Sequence, residues 1–347
     1  MTGITERLMN LIEERGWKGR IVPISHLDDL KREIRDRYDC GLLNEKLYRD
    51  QLSWFSFEPP GNLPDARSII VVALPVPQTR TIFHWQGGRF AVIVPPTYAG
   101  YSATTLRVQA VLASWIEQEG YKVACPQLPL KTLAAWSGLA EYGRNNICYV
   151  DGMGSFLQLV GVFSDLPCSE DAWRKPRMLR RCDSCVACLR SCPSGAIAKD
   201  RFLLHAENCL TYHNEGAAEF PAWVHPSWHH CLIGCMKCQN VCPENKAVLT
   251  WFDDRDEFAE HETACFVERM PFDQLPSDTA AKLRSLQLNE DYRILCRNLS
   301  ILVERAAGGS WEGGPSAALP GRALPPPGRQ ARARTATLTP RNPGGLG

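Results

Sequence analysis

Two closely spaced cysteine motifs constrain the fold of this chain more than any other feature of its sequence. Nine of its 15 cysteines lie between residues 182 and 242 of 347. The motifs are Cys182-x2-Cys185-x2-Cys188-x3-Cys192-Pro193 and Cys235-x2-Cys238-x3-Cys242-Pro243. The first has the spacing of the bacterial ferredoxin run, in which three thiolates bind one 4Fe–4S cube and the fourth binds the neighbouring cube. The motifs therefore predict two 4Fe–4S clusters.

Eight thiolates are needed for two cubes, and the second motif lacks a leading cysteine. The isolated Cys209 is the candidate to supply it. Because the cysteine before each proline is expected to cross to the neighbouring cube, we predict interleaved ligation. The predicted sets are Cys182, Cys185, Cys188 and Cys242 for cluster 1, and Cys192, Cys209, Cys235 and Cys238 for cluster 2.

The sequence leaves two alternatives to this ligand assignment open. Cys-x2-Cys pairs also build tetrahedral zinc sites. Cys231, four residues before Cys235, could replace it as a ligand. Three histidines precede the second motif, and we favour roles at the surface or around the cluster for them, since eight thiolates suffice: His225, His229 and His230. The scattered cysteines are expected mostly to be small buried hydrophobic residues: Cys40, Cys125, Cys148, Cys168, Cys265 and Cys296.

Strands alternate with helices in the part of the chain that precedes the clusters. The β-branched run 68–74 and the apolar run 90–94 are predicted to be strands. Helical periodicity follows over 102–119 and 130–137. Alternating elements of this kind predict an α/β domain over residues 1–167.

Three further segments follow this domain. Short cysteine-punctuated stretches over 168–272 predict a small ferredoxin-like domain held together by metal. Leucines at helical spacing predict a helical cap over 273–306. Residues 307–347 are rich in Gly, Pro and Arg and are predicted to be a disordered tail.

Charge and hydropathy limit the partners of the chain. Its net charge of +1 gives no electrostatic case for binding nucleic acid or an anionic membrane. No export signal is visible at the start, and the longest apolar runs are far shorter than the roughly 20 residues of a membrane span. We therefore predict a cytoplasmic protein with no membrane partner, with a monomer favoured, in a compartment that keeps thiols reduced.

Several segments ahead of and within the cysteine motifs resemble one known family. They are 63–74 (LPDARSIIVVAL), 133–146 (LAAWSGLAEYGRNN), Gly154-Ser155-Phe156, Asp165-Leu166, and the two motifs with Cys209 between them. Over roughly residues 64–245 the chain resembles the epoxyqueuosine reductases, cobalamin-dependent enzymes that share features with corrinoid reductive dehalogenases.

The resemblance implies an α/β domain of the nitroreductase type that holds a base-off corrinoid beside one cube. Electrons would pass from an external donor of the ferredoxin or flavodoxin type through two clusters to cobalt. In that family the product is the queuosine nucleoside of tRNA, so tRNA is an implied partner. The candidate corrinoid contacts are Ser137, Gly138, Arg144, Asn145 and Ser155.

This chain departs from the family where protons are delivered. The expected acidic proton donor is replaced by Ala124 or Cys125, and an Asp-Tyr-His region by Tyr101-Ser102-Ala103. Opening an epoxide reductively requires protons as well as electrons, and neither replacement is a suitable acid. Tyr98 and Tyr101, in a loop after a strand, are candidate donors.

We therefore predict an iron–sulfur oxidoreductase that resembles epoxyqueuosine reductase and whose substrate the sequence does not identify. Two other functions fit the cysteine motifs. One is an electron carrier whose α/β domain docks a partner and binds no corrinoid. The other is a flavin-dependent reductase.

Overall fold

A four-stranded antiparallel sheet lies at the centre of the α/β part of the chain. The computed structural model describes residues 3–168, 171–288 and 292–307. The strands, in sheet order, are β1 (Lys18–Pro23), β2 (Ser68–Pro75), β8 (Leu157–Ser164) and β5 (Val123–Ala124). β2 and β8 are buried almost throughout. Their mainly apolar sequences, interrupted in β8 by the buried Gln158, follow from coverage of both faces of the sheet.

Helices cover the two faces of this sheet. They are α1 (Ile4–Glu13) and α4 (Tyr101–Gln118) on one face, and α2 (Leu27–Asp39) and α5 (Leu130–Trp136) on the other. Alternate residues of β2 serve the two cores: Ile70 and Val72 pack with α1 and α4, whereas Ile69 and Val71 pack with α2 and α5. The predicted α/β fold is confirmed.

A second sheet joins the α/β part to a strand that follows the cysteine motifs. β3 (Gln78–Trp85) and β4 (Gly88–Val94) form a hairpin, and β9 (Phe252–Phe258) pairs with β3 in parallel. Residues 252–258 fall inside the segment 168–272 predicted as the cluster domain, yet they belong to this sheet. Their charged sequence gives little strand signal, and pairing with β3, including an Arg80–Asp254 ion pair, forms the strand.

Helices near the end of the chain pack on this second sheet. They are α9 (Glu260–Val267), α10 (Ser277–Leu286) and α11 (Tyr292–Ala307). Their core includes Phe83, Phe258, Phe266, Leu295 and Leu299. The predicted tail lies, from residue 308 onward, outside the described residues. Within the described ranges no helix is long and apolar enough to cross a membrane.

The cysteine motifs lie on short elements. α6 (Ala187–Ser191) packs against α8 (Lys237–Asn240), which places the two motifs side by side. The other short α-helices and strands of the described residues are α3 (Glu45–Leu47), β6 (Glu141–Tyr142), β7 (Cys148–Tyr149) and α7 (Leu210–Glu215).

Candidate iron–sulfur site

One cavity is lined by the four cysteines predicted for cluster 1. These are Cys182, Cys185, Cys188 and Cys242. Burial raises the pKa of Cys182 and Cys188, and the neighbouring thiols, Cys242 among them, raise it further. The structure therefore brings the last cysteine of the second motif to the first three of the first motif. Four thiols around one cavity match the need of a cube for one thiolate at each iron.

The four cysteines predicted for cluster 2 also lie near one another. Burial and the Cys192 thiol raise the pKa of Cys209. The pKa of Cys238 is raised by burial and then by Cys235 and Cys209. Cys209, isolated in the sequence, thus lies among the other members of its predicted set. In the described ranges no three His, Cys, Asp or Glu side chains are close enough to hold a single metal ion.

Cys231 is the residue that competes with this set. Cys231 is buried. Burial is the main cause that raises the pKa of Cys235, and the nearby Cys231 thiol is the second. Cys231 also pairs with Ile93 of β4, because Leu232 N–H donates to the Ile93 carbonyl at 2.8 Å. Its assignment outside the ligand set stays a prediction. Of the scattered cysteines, Cys148, Cys265 and Cys296 are buried, whereas Cys40 and Cys125 are exposed.

The turn between β6 and β7 forms a wall of the cluster 1 cavity. The Arg144 N–H donates to Cys182 Sγ at 3.4 Å. The Arg144 guanidinium donates to the carbonyls of Cys182 at 2.5 Å and Cys185 at 3.3 Å. Asn145 is buried in the same wall and donates to Tyr149 Oη at 2.9 Å. A hydrogen bond to a ligand sulfur and a nearby cation favour the reduced state of a cluster.

The five residues predicted to contact a corrinoid have different immediate surroundings. Arg144 and Asn145 line the cluster 1 cavity. The buried Ser137 hydroxyl donates to the Ala134 carbonyl at 3.1 Å. Gly138 lies against the Arg174 guanidinium, which would be 3.0 Å from a Cβ there. Ser155 is hydrogen-bonded to Gln239 of the second motif and to Asn245, two residues after that motif. Each of these residues has contacts within the chain, and the assignment of the five to a corrinoid stays a prediction.

Tyr98 and Tyr101 lie in different surroundings. The Tyr98 hydroxyl donates to Glu215 and lies 2.7 Å from the position of a Cβ on Gly234. Burial raises the pKa of Tyr98, and Glu215 raises it further. Tyr101 is half-exposed at the start of α4. Of the two candidates, therefore, Tyr98 is the one beside the cluster 2 cysteines.

A second cavity, of about 260 Å³, lies between the β3–β4 hairpin and the second motif. Its lining is mainly apolar, with two side-chain amides. The residues are Gln78, Ile93, His230, Cys231, Met236, Asn240, Leu249 and Phe252. His230, predicted to lie at the surface or around the cluster, holds this loop: its Nδ1 donates to the Trp228 carbonyl at 3.1 Å and its Nε2 accepts the Met236 N–H at 3.0 Å. Sequence analysis did not predict this cavity. Gln78, which lines it, begins strand β3, and that strand was not predicted.

Comparisons with known proteins agree with this geometry. A sequence family described as a 4Fe-4S double cluster binding domain matches residues 181–245. An epoxyqueuosine reductase of Atelocyanobacterium thalassa is 24% identical over 260 residues, which are 71% of this chain and 81% of that protein. An epoxyqueuosine reductase of Yersinia pestis is 32% identical over 132 residues, which are 37% of this chain and 30% of the Yersinia pestis protein.

Two solved structures share the fold. The epoxyqueuosine reductase of Streptococcus thermophilus superposes with a TM-score of 0.63 at 19% identity, covering 88% of this chain and 82% of that one. An epoxyqueuosine reductase solved with an epoxyqueuosine-modified tRNA-Tyr stem loop gives a TM-score of 0.52 at 21% identity, covering 70% and 66%. The comparisons confirm the predicted family resemblance and the predicted pair of 4Fe–4S clusters.

Proposed function

We propose that this chain, an iron–sulfur oxidoreductase of the epoxyqueuosine reductase type, reduces epoxyqueuosine in tRNA at the junction of its α/β and cluster domains. One observation carries the proposal. The cavity lined by Cys182, Cys185, Cys188 and Cys242 is closed by Arg144 and Asn145, which belong to the α/β part. A cluster held there would be in contact with the domain that must house the reducing centre.

The cofactors are the two clusters and, as the resemblance implies, cobalamin. The clusters would supply one-electron transfer, and cobalamin would supply the reducing centre. The 260 Å³ cavity suits the edge of a corrinoid chemically, because Gln78 and Asn240 offer amides to the amide side chains of the macrocycle and the rest of the lining is mainly apolar. Its volume is below the roughly 300–1,000 Å³ of sites for drug-sized ligands. A whole corrinoid would therefore require the hairpin and the second-motif loop to separate.

We propose Tyr98 as the residue that donates a proton when the epoxide is reduced. Ala124 is buried in β5 and Cys125 is exposed, and neither supplies the carboxyl group that the family carries. The Tyr98 hydroxyl is protonated at neutral pH, as an ordinary tyrosine with a pKa of about 10 is, and burial and Glu215 raise its pKa further. Cys231 lies close to Tyr98 and also lines the 260 Å³ cavity. The Tyr98 hydroxyl would therefore be placed to donate its proton to a substrate at that cavity.

The proposed reaction requires two partners, an electron donor and a tRNA substrate. An external ferredoxin- or flavodoxin-type donor would supply electrons, and the cytoplasm would keep the ligand thiols reduced. The tRNA substrate is supported by the relative solved with a modified tRNA stem loop.

The size of the cavity favours a second candidate function, an electron carrier that binds no corrinoid. Anaerobic reconstitution with iron, sulfide and cobalamin, followed by incubation with epoxyqueuosine-containing tRNA and a chemical reductant, separates the two. We expect corrinoid absorption bands and formation of queuosine. Cluster absorption alone, with no product, would support the carrier, and flavin absorption would support a flavin-dependent reductase.

A further inference from the structure

We propose that Arg297 and Asn298 of α11 are positioning residues for cluster 2. They lie far along the chain from the cysteine motifs, yet both are buried against the segments that carry Cys209 and Cys235. The inference rests on the ligand sets of the proposed function and extends it to residues outside the cluster domain.

Arg297 fixes the helix that follows Cys209. α7 begins at the residue after Cys209, and its last carbonyls have no partner within the helix. The Arg297 guanidinium donates to backbone carbonyls at this end: His213 at 3.0 Å, Asn214 at 3.2 Å, Gly216 at 2.8 Å, and Ala218. The Arg297 Cζ also lies 3.9 Å from the centre of the Phe220 ring. One side chain thus satisfies several carbonyls by means of the five donors of a guanidinium.

Asn298 connects this helix to the loop before Cys235. Its Nδ2 donates to the Asn214 carbonyl at 3.0 Å, to the Leu232 carbonyl at 2.9 Å and to Asn214 Oδ1. Asn214 in turn donates through its own Nδ2 to the Gly234 carbonyl at 3.1 Å. Gly234 directly precedes Cys235. A chain of buried hydrogen bonds therefore runs from α11 through Asn214 to a predicted cluster ligand.

This network answers a specific problem of cluster 2. Cys209 lies in neither cysteine motif, so motif spacing does not fix its distance from Cys235. Loops with buried carbonyls are costly unless donors satisfy them, and a satisfied network specifies one arrangement. Arg297 and Asn298 supply those donors from a helix that is itself packed in the core of the second sheet.

The test compares Arg297→Met, Arg297→Lys and Asn298→Ala with Arg293→Met, which changes an exposed arginine of the same helix. Iron content, the electron paramagnetic resonance of the reduced chain and circular dichroism are measured after anaerobic purification. Cys182→Ser and Cys235→Ser provide reference spectra for loss of cluster 1 and cluster 2. Cys209→Ser tests the ligand assignment separately, because it should lose cluster 2 whatever α11 does.

We expect Arg297→Met and Asn298→Ala to fall from about eight irons per chain to about four, with only the cluster 2 signal lost. Arg297→Lys should keep more of that signal than Arg297→Met, and Arg293→Met should keep all of it. Retention of both signals, or equal loss of both clusters in a folded chain, would overturn the inference. If Arg297→Met does not fold, Asn214→Ala decides: selective loss of cluster 2 supports the inference, and full retention overturns it.

Discussion

Asn245 holds Ser155 with both ends of its side-chain amide. Its Oδ1 accepts the Ser155 N–H at 2.8 Å, and its Nδ2 donates to Ser155 Oγ at 2.8 Å. Asn245 lies three residues after Cys242, and Ser155 lies just before β8 of the central sheet. The pair therefore ties the last ligand of cluster 1 to the α/β domain.

Replacing Asn245 with Ala should destabilise the chain and weaken cluster 1. The change leaves the buried Ser155 N–H without its acceptor, which costs about 1–3 kcal/mol. Ser155→Ala keeps that N–H bond and should cost less. Denaturant unfolding under anaerobic conditions measures both changes. A loss for Asn245→Ala no greater than that for Ser155→Ala would contradict this interpretation.

Gly154 should be intolerant of any side chain because of the same contact. Its φ is +59°, and a Cβ would lie 2.5 Å from Asn245 Oδ1 and 2.9 Å from the Glu244 carbonyl. Gly152 is the matched control, since its φ is +73° but the nearest atom to a Cβ, Lys18 Nζ, is 4.0 Å away. Both alanine variants incur backbone strain of roughly 1–2 kcal/mol. Gly154→Ala should lose clearly more unfolding free energy and release cluster 1 iron; equal losses would show that the contact is unimportant.

Tyr98→Phe should lower turnover while leaving both clusters in place. Removing a general acid typically lowers the rate by about 10²–10⁴-fold. Tyr101→Phe is the control, because its hydroxyl is not placed beside the second motif. Single-turnover reduction of epoxyqueuosine tRNA, with iron content measured in parallel, makes the comparison. Similar rates for the two variants would remove Tyr98 from the reaction.

His229 should make the chain less stable as the pH falls. It is buried, its Nδ1 has no hydrogen-bond partner among the described residues, and burial, Arg297, His230 and Arg305 lower its pKa to about 4. In the unfolded chain the His229 ring binds a proton near the ordinary histidine pKa of about 6.5. In the folded chain the ring stays neutral until the pH approaches 4. Stability is therefore fully present above pH 6.5 and declines toward pH 4, by on the order of 3 kcal/mol at most.

His229→Leu should flatten this decline between pH 7 and 5, because the replaced ring no longer titrates. His261→Leu, at an exposed position, serves as the control. Urea midpoints across the pH range measure the effect. An unchanged slope in His229→Leu would show that another group causes the acid sensitivity.

The sequence predicted the elements whose signals are local. β2 contains a continuous apolar run, and the cysteine motifs have diagnostic spacing. β3 and β9 were missed because Arg80 and the charged residues of β9 resemble a loop until the strands pair. Arg144 and Ser155 were predicted to contact a corrinoid, which stays a prediction. Their contacts with Cys182 and Asn245 depend on packing between distant segments, which no local pattern encodes.

The central claim is that two 4Fe–4S clusters share the cysteine motifs by interleaved ligation. Cys242 is the decisive residue, because it belongs to the second motif in sequence and to the cluster 1 cavity in the structure. Cys231→Ser provides a control that should keep about eight irons per chain.

Mössbauer and electron paramagnetic resonance spectroscopy of 57Fe-labelled Cys242→Ser, purified anaerobically, tests the claim most directly. We expect the unsubstituted chain to show only 4Fe–4S iron, and Cys242→Ser to lose the same cluster signal as Cys182→Ser while keeping the one lost in Cys235→Ser. Loss of the Cys235→Ser signal instead, or an unsubstituted chain that holds zinc and no iron, would contradict the account.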